Sequence, residues 1–370
     1  PTAVNNVSMI GGGTITDAIA FANVGTLVIG GDGITTTFNG GLTAVTQADG
    51  VAAVSLRGNI VTSEDQITLG TAAKKIRLLG DTVINTAGAG AINLNGAISG
   101  VLAGGGDDLT INTTGVVTIA GAMTEVVELT TNAGGSTVLS NGNITTTGAI
   151  TIGDTLTIAN GVSSVITSAA TADIDQSYQA IAGADGTGEN LTLMAGNNAA
   201  STITVAGTIT NIDTLAITDA GIVNFNAAVT VDTLTIPTAV NNVSMIGGGT
   251  ITDAVTFANV GTLSIGAAGL TTNFTGGLTA VTQANGVAAI TLAGTVATAG
   301  TGVITLGTAD KKIRLNGDTT ISAGSGAVNL NGAISGDGGD DDLTITGTGV
   351  ITIAQDMTAT RSLTTNTGGS

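Results

Sequence analysis

The stretch PTAVNNVSMIGGGTITDA stands at Pro1 and again, letter for letter, at Pro237. From there the second copy tracks the first, with a few single-residue insertions and deletions. GGLTAVTQADGVAA answers to GGLTAVTQANGVAA, and ITLGTAAKKIRL to ITLGTADKKIRL. Ser370 matches Ser136, so residues 1–236 form one long repeat and residues 237–370 a second, truncated one equivalent to 1–136. Duplication this close favours an architecture that grows by adding units along one direction, each touching only its neighbours. Neither end of the sequence reads as the polar cap that a free solenoid needs over its open backbone edges. The expectation is therefore a segment of a longer chain, or one that stacks end to end with copies of itself.

Within each long repeat runs a finer rhythm. Leu27–Ile29, Leu109–Ile111, Val117–Ile119, Ile150–Ile152, Leu156–Ile158, Leu215–Ile217 and Leu234–Ile236 are all apolar–x–apolar triplets. The middle residue is usually Thr, and Gly, Asn, Asp or Ala follows. A two-residue period is that of a strand with one face buried. Thr and the β-branched residues suit its pleated surface, while Gly and Asn suit tight corners where φ turns positive. In the clearest stretches the triplets recur every six to eight residues, which leaves no room for long Greek-key connections. Three short strands and their corners make a coil of roughly 18 to 24 residues, near the lower end of common solenoid periods. Asn-Gly, a hairpin signal, occurs at Asn95–Gly96 and Asn331–Gly332, too sparsely to turn every corner into a hairpin. The fold expected is all-β: a right-handed parallel β-helix (β-solenoid) with short strands and Gly/Asn/Asp corners, the hand being the default for parallel crossovers.

Composition narrows the functional classes. Aromatics are 2% of the chain and tryptophan is absent, so the core has to be narrow and filled by Val, Ile, Leu and Ala. No apolar run approaches the roughly 18 residues of a spanning helix, and the aromatic girdles of a membrane barrel are missing. A net charge of −18 argues against a nucleic-acid partner, because phosphate binding needs clustered Lys and Arg. With no His and no Cys, Ser-His-Asp and Cys-His catalysis and the usual zinc sites are excluded. Isolated Gly-x-Gly matches mark corners, and no GxxxxGK[ST] loop is present.

The stretch GDGGDDDLTITGTGVITI, from Gly336 to Ile353, resembles repeats of bacterial autotransporter passengers and of filamentous-haemagglutinin-like exoproteins. In those families a Gly-rich lead is followed by Leu-Thr, a Gly-x-Gly turn and a second Leu/Ile-Thr-Leu/Ile strand. Here the matching positions are Leu343, Thr344, Gly347, Gly349, Ile351, Thr352 and Ile353. The first copy keeps Leu109, Thr110, Gly115, Val117, Thr118 and Ile119 but carries Thr113 at the first turn glycine. The resemblance implies a surface-exposed or secreted β-helix used for adhesion, biofilm scaffolding or surface coating.

Three groups of side chains remain as candidates. Asp107–Asp108 and Asp340–Asp341–Asp342 are the densest carboxylate groups, weak candidates for calcium, a hard cation that takes carboxylate and carbonyl oxygens. Neighbouring carboxylates on one loop do not give the separation across a cleft that sugar hydrolysis needs, so no catalytic residue and no cofactor is expected. All cations except Arg57 and Arg361 fall in two matching clusters, Lys74, Lys75, Arg77 and Lys311, Lys312, Arg314. If Ile76, Leu78, Ile313 and Leu315 face the core, Lys75, Arg77, Lys312 and Arg314 project outward together and could meet the acidic loops of a neighbouring rod. The least regular region, Ser163 to Asn198, contains Tyr178 and is expected to carry a surface elaboration. Taken together these features point to a non-enzymatic structural protein, extracellular or at the cell surface. Its expected partners are copies of itself, end to end or laterally, and cell-surface or matrix components. An adhesin stalk is the alternative, and a polysaccharide-active β-helix enzyme a more distant one.

Overall fold

The computed structural model describes residues 4–101, 107–168, 173–196, 198–338 and 340–366, with side chains throughout except at positions 51, 287 and 288. Among them there is no helix. The short strands pair in parallel, coil upon coil, as a β-solenoid. The chain divides into two compact units, Pro1–Ala184 and Asp185–Ser370.

In the first unit three columns of strands form the sides of the coil. One runs through Val7–Met9, Leu27–Ile29, Val54–Leu56, Ile76–Leu78, Ile98–Ser99 and Met123–Val126. A second runs through Gly13–Ile15, Thr36–Phe38, Ile60, Ile84, Leu109–Ile111 and Leu129–Thr131. The third stacks Leu42–Ala44, Ile67–Leu69, Ile92–Leu94 and Val117–Ile119. The second unit repeats the plan, with Val243–Met245, Leu263–Ile265, Ile290–Leu292 and Ile313–Leu315 as one of its columns. Both outer residues of the apolar–x–apolar triplets from Leu27–Ile29 to Leu234–Ile236 are buried, as the alternation requires, while Val7, Met9 and Ile15 in the first coil are only half-buried. Each inward Leu or Ile contributes roughly 1.5–3 kcal/mol by leaving water.

Register partners lie 19 residues apart where a coil is tightest, Ser136 beside Thr155, and 27 apart where it is widest, Leu27 beside Val54. The sequence-based coil length is thus too short at its upper end. Part of the excess sits in the corner around Gln47, whose side chain turns inward instead of out. Gln47 Nε2 donates to Phe21 O at 3.0 Å and Asn23 Oδ1 at 2.9 Å, while Asn23 Nδ2 donates to Asn5 O and Thr26 O. The second copy builds the same buried ladder with Gln283 and Asn259. These amides satisfy carbonyls that a corner takes out of the strand ladder. The scarce aromatics cluster beside them: Phe21 meets Phe38 edge-on at 6.2 Å, and Phe257 meets Phe274 at 5.9 Å.

Some strands run through a corner. Gly50–Thr62 serves two columns, with its register shifting between Leu56 and Gly58. Gly58 has φ 71°, and a Cβ there would lie 2.2 Å from Gly31 O. Only glycine permits both the left-handed backbone and that approach. Gly294 repeats the arrangement, with φ 66° and Ala267 O at 2.1 Å from its would-be Cβ.

The surface elaboration expected over Ser163 to Asn198 is not what the described residues form. Ser163–Ser168, Asp175–Gly183 and Asn190–Gly196 are strands. All three take ladder register, Ile166 on Ile144, Tyr178 on Ile152 and Leu191 beside Leu215. Tyr178 is fully buried and its hydroxyl donates to Gln176 Oε1 at 3.0 Å. The irregular composition reflects polar groups placed inside the coil. Positions 169–172 and 197 lie outside the described residues.

Candidate functional site

The basic clusters are placed by the strands Lys74–Asn85 and Lys311–Ala323. Ile76, Leu78, Ile313 and Leu315 are buried, so Lys75, Arg77, Lys312 and Arg314 do alternate to the outside. Their surroundings then diverge. Lys74 Nζ donates to Asp49 Oδ1 at 2.7 Å, whereas Lys311 Nζ donates to Asn285 Oδ1 at 2.9 Å. Arg314 forms an ion pair with Asp337. Arg77 has no such partner. Among the described residues Lys75, Arg77 and Lys312 are the cations without an ion-pair or hydrogen-bond partner.

Lys75 and Arg77 border a surface groove of about 300 Å³ that crosses three coils. Register sets Arg77 beside Ser99 and Ser99 beside Thr124, so two hydroxyl-bearing residues continue the outward row begun by the guanidinium. Glu125 closes the far end with φ 60°, beyond ion-pair distance of either cation. Gly100 lines the groove, and a Cβ there would meet Glu125 O at 1.9 Å. Sequence reading found the two cations and missed Ser99 and Thr124. The offsets that align them, 22 residues from Arg77 to Ser99 and 25 from Ser99 to Thr124, differ from coil to coil.

The acidic loops are tied into the backbone. Asp107 is buried and its Oδ2 accepts from Val101 N. Asp341 repeats this, accepting from Asp337 N at 2.5 Å. Asp108 Oδ1 accepts from Glu128 N at 3.1 Å, while its own amide donates to Asp81 Oδ1. Burial first, and then the Asp81 charge, push the Asp108 carboxyl above its ordinary range. Asp342 N donates to Asp318 Oδ1, and the Asp342 carboxylate accepts from Arg361 Nε at 3.0 Å and Ser362 Oγ at 2.7 Å. The Arg361 hydrogen bond holds Asp342 below the usual carboxylate range. Asp340 is exposed. Among the described residues no three acidic side chains converge on one point. The calcium candidates are therefore brought together in sequence but not around a common centre; positions 102–106 and 339 lie outside the described residues.

One more carboxylate is turned inward. Asp154 is buried on the strand Ile150–Ile158, and the Thr137 and Thr131 hydroxyls donate to it at 3.1 and 3.4 Å. Burial raises its carboxyl above the ordinary range, against the pull of those two hydrogen bonds. In the second unit Asp185 and Asp232 border a shallow groove, and Thr252 Oγ1 donates to Asp232 Oδ1 at 2.9 Å.

No helix among the described residues is long and apolar enough to cross a membrane. Comparison with protein-family models, with characterised proteins and with solved structures finds no match to this chain.

Proposed function

We propose that this chain is a structural segment of an extracellular or cell-surface repeat protein, one that builds stiff length and a uniform surface and catalyses nothing. The reading rests on one observation above all: the two copies spend their sequence identity on the same coil-building devices. The inward column Leu27, Val54, Ile76 recurs as Leu263, Ile290, Ile313. The buried amide ladder Asn23–Gln47 recurs as Asn259–Gln283. The corner glycine Gly58 recurs as Gly294. An enzyme needs one special groove, whereas a scaffold needs the same coil many times. The resemblance to autotransporter passengers and haemagglutinin-like exoproteins adds to the reading, and copies of the chain itself are the partners it implies.

Electron cryo-microscopy of the native material tests it. Long uniform fibres with an axial spacing of about 4.8 Å are expected. Short rods carrying one decorated end would replace the scaffold by an adhesin stalk. Turnover of a polysaccharide at the Asp185–Asp232 groove would replace it by an enzyme.

A further inference from the structure

We infer that the groove over Lys75, Arg77, Ser99 and Thr124 is a carboxylate site, and that a second copy of this chain supplies the carboxylate. The inference deepens the structural reading above and rests on it for the partner.

The second copy fills the equivalent place from within its own chain. Its loop after Ser335 is anchored as the first copy's loop after Ser99 is. Gly336 is pressed against Ala359 O as Gly100 is against Glu125 O. Asp341 accepts the amide of residue 337 as Asp107 accepts that of residue 101. Both corner residues facing these glycines, Glu125 and Ala359, have left-handed backbones, at φ 60° and 51°. Two side chains differ: Glu125, which lines the groove without pairing with either cation, is Ala359 in the second copy, and the anchored position carries Asp337 in the second copy but Val101 in the first. Asp337 delivers its carboxylate to Arg314. Val101 delivers nothing to Arg77. One repeat thus holds an internal carboxylate where the other leaves its guanidinium open.

Chemistry favours filling it. Lys75 and Arg77 lie on the same outward face two residues apart, and like charges so placed repel until an anion bridges them. Ser99 and Thr124 carry hydroxyl donors for a carboxylate oxygen beyond the one the guanidinium takes. No aromatic side chain borders the groove, so it has no stacking platform for a sugar ring or a base. An acidic side chain fits that outline better than a glycan. The chain itself offers 26 acidic residues against 8 basic ones, so a neighbouring copy presents carboxylates in excess.

Sedimentation velocity of the 370-residue chain at fixed ionic strength reads the contact. Val101→Asp installs the internal carboxylate and is expected to weaken self-association about fivefold, the most that one half-exposed pair gives. Arg77→Gln, which adds nothing to the loop, is expected to do the same, with circular dichroism reporting that both variants fold. Asp337→Val frees Arg314 and is expected to strengthen association. Association indifferent to Val101→Asp and Arg77→Gln overturns the groove and leaves the scaffold reading standing, since that reading is judged by the fibres. A chain that stays monomeric while an oligouronate binds it in an Arg77-dependent way overturns the second copy as the source. A monomer that binds neither overturns the site altogether.

Discussion

Asp108 in the first copy and Asp342 in the second occupy one position of the repeat, and each has an aspartate on the preceding coil accepting its backbone amide, Asp81 and Asp318. Across the following coil the surroundings change. The first copy has Val127 and Glu128, the second Arg361 and Ser362. Asp108 has only the Glu128 amide to hold its charge, and burial first, then the Asp81 charge, raise its carboxyl against it. Asp342 gains a guanidinium and a hydroxyl, and its carboxyl is lowered. The backbone is the same; the electrostatics are opposite. Outward positions therefore drift freely in charge while inward ones do not, because a side chain in water answers only to its near neighbours and a side chain in the coil answers to packing on every side.

The drift has a grammar. Asp32 pairs with Arg57, and both are replaced together, by Ala268 and Ala293. Asp49 pairs with Lys74, and the lysine survives as Lys311 opposite an uncharged Asn285. Arg77 faces no partner, and its counterpart Arg314 has acquired Asp337. The first pair changes as a set; in the other two the cation stays and only its neighbour on the adjacent coil, more than twenty residues away in sequence, changes.

The comparison would break first in the core. Leu56→Ala and Leu292→Ala remove equivalent, fully buried side chains. Each is expected to cost about 2–5 kcal/mol, with the two agreeing to within about 0.5 kcal/mol. Hydrogen exchange of the flanking strand amides measures each coil locally, which a repeat array requires because its unfolding need not be all-or-none. A clear inequality would mean that the interiors of the copies are not equivalent.

The exchanged ion pair gives a smaller effect. The Asp32 and Arg57 side chains are 78% and 37% exposed, so a double-mutant cycle to alanine is expected to return a coupling of only about 0.2–1 kcal/mol. Arg57 also donates to Leu79 O, so Arg57→Ala alone should cost more than Asp32→Ala alone. Transplanting the pair as Ala268→Asp with Ala293→Arg should leave the second copy's exchange rates nearly unchanged. A large gain there would show that the pair shapes the corner instead of decorating it.

The smallest effect on stability is the most specific. Arg361→Val makes the second copy resemble the first, and carbon-detected NMR titration of the carboxyls should then find Asp342 moved upward, toward Asp108. The signs follow by linkage. Asp342, lowered in the folded state, adds stability above the ordinary carboxylate range and loses it as pH falls through its depressed value. Asp108, raised, works the other way: its contribution is fullest below the ordinary range and is lost as pH rises through its elevated value. Unaltered Asp342 titration in Arg361→Val would assign the depression to Ser362.

Sequence alone determined the coil. The apolar–x–apolar triplets name the inward residues, from Leu27 and Ile29 to Leu234 and Ile236, because a two-residue period has one physical meaning when one face is buried. Duplication at Pro237 determined that the same coil would be built twice. Gln47, Asn23 and Tyr178 escaped that reading. Polar residues are placed outside by default, and their burial depends on which carbonyls a particular corner leaves unpaired. Only the tertiary structure decided which outward residues meet. Arg77, Ser99 and Thr124 share a groove because successive coils differ in length, and nothing in local sequence announces offsets of 22 and then 25 residues. The basic cluster was legible as two matching strings of letters; that one is open and the other closed by Asp337 follows from a loop whose anchor, a buried aspartate, is a contact across space.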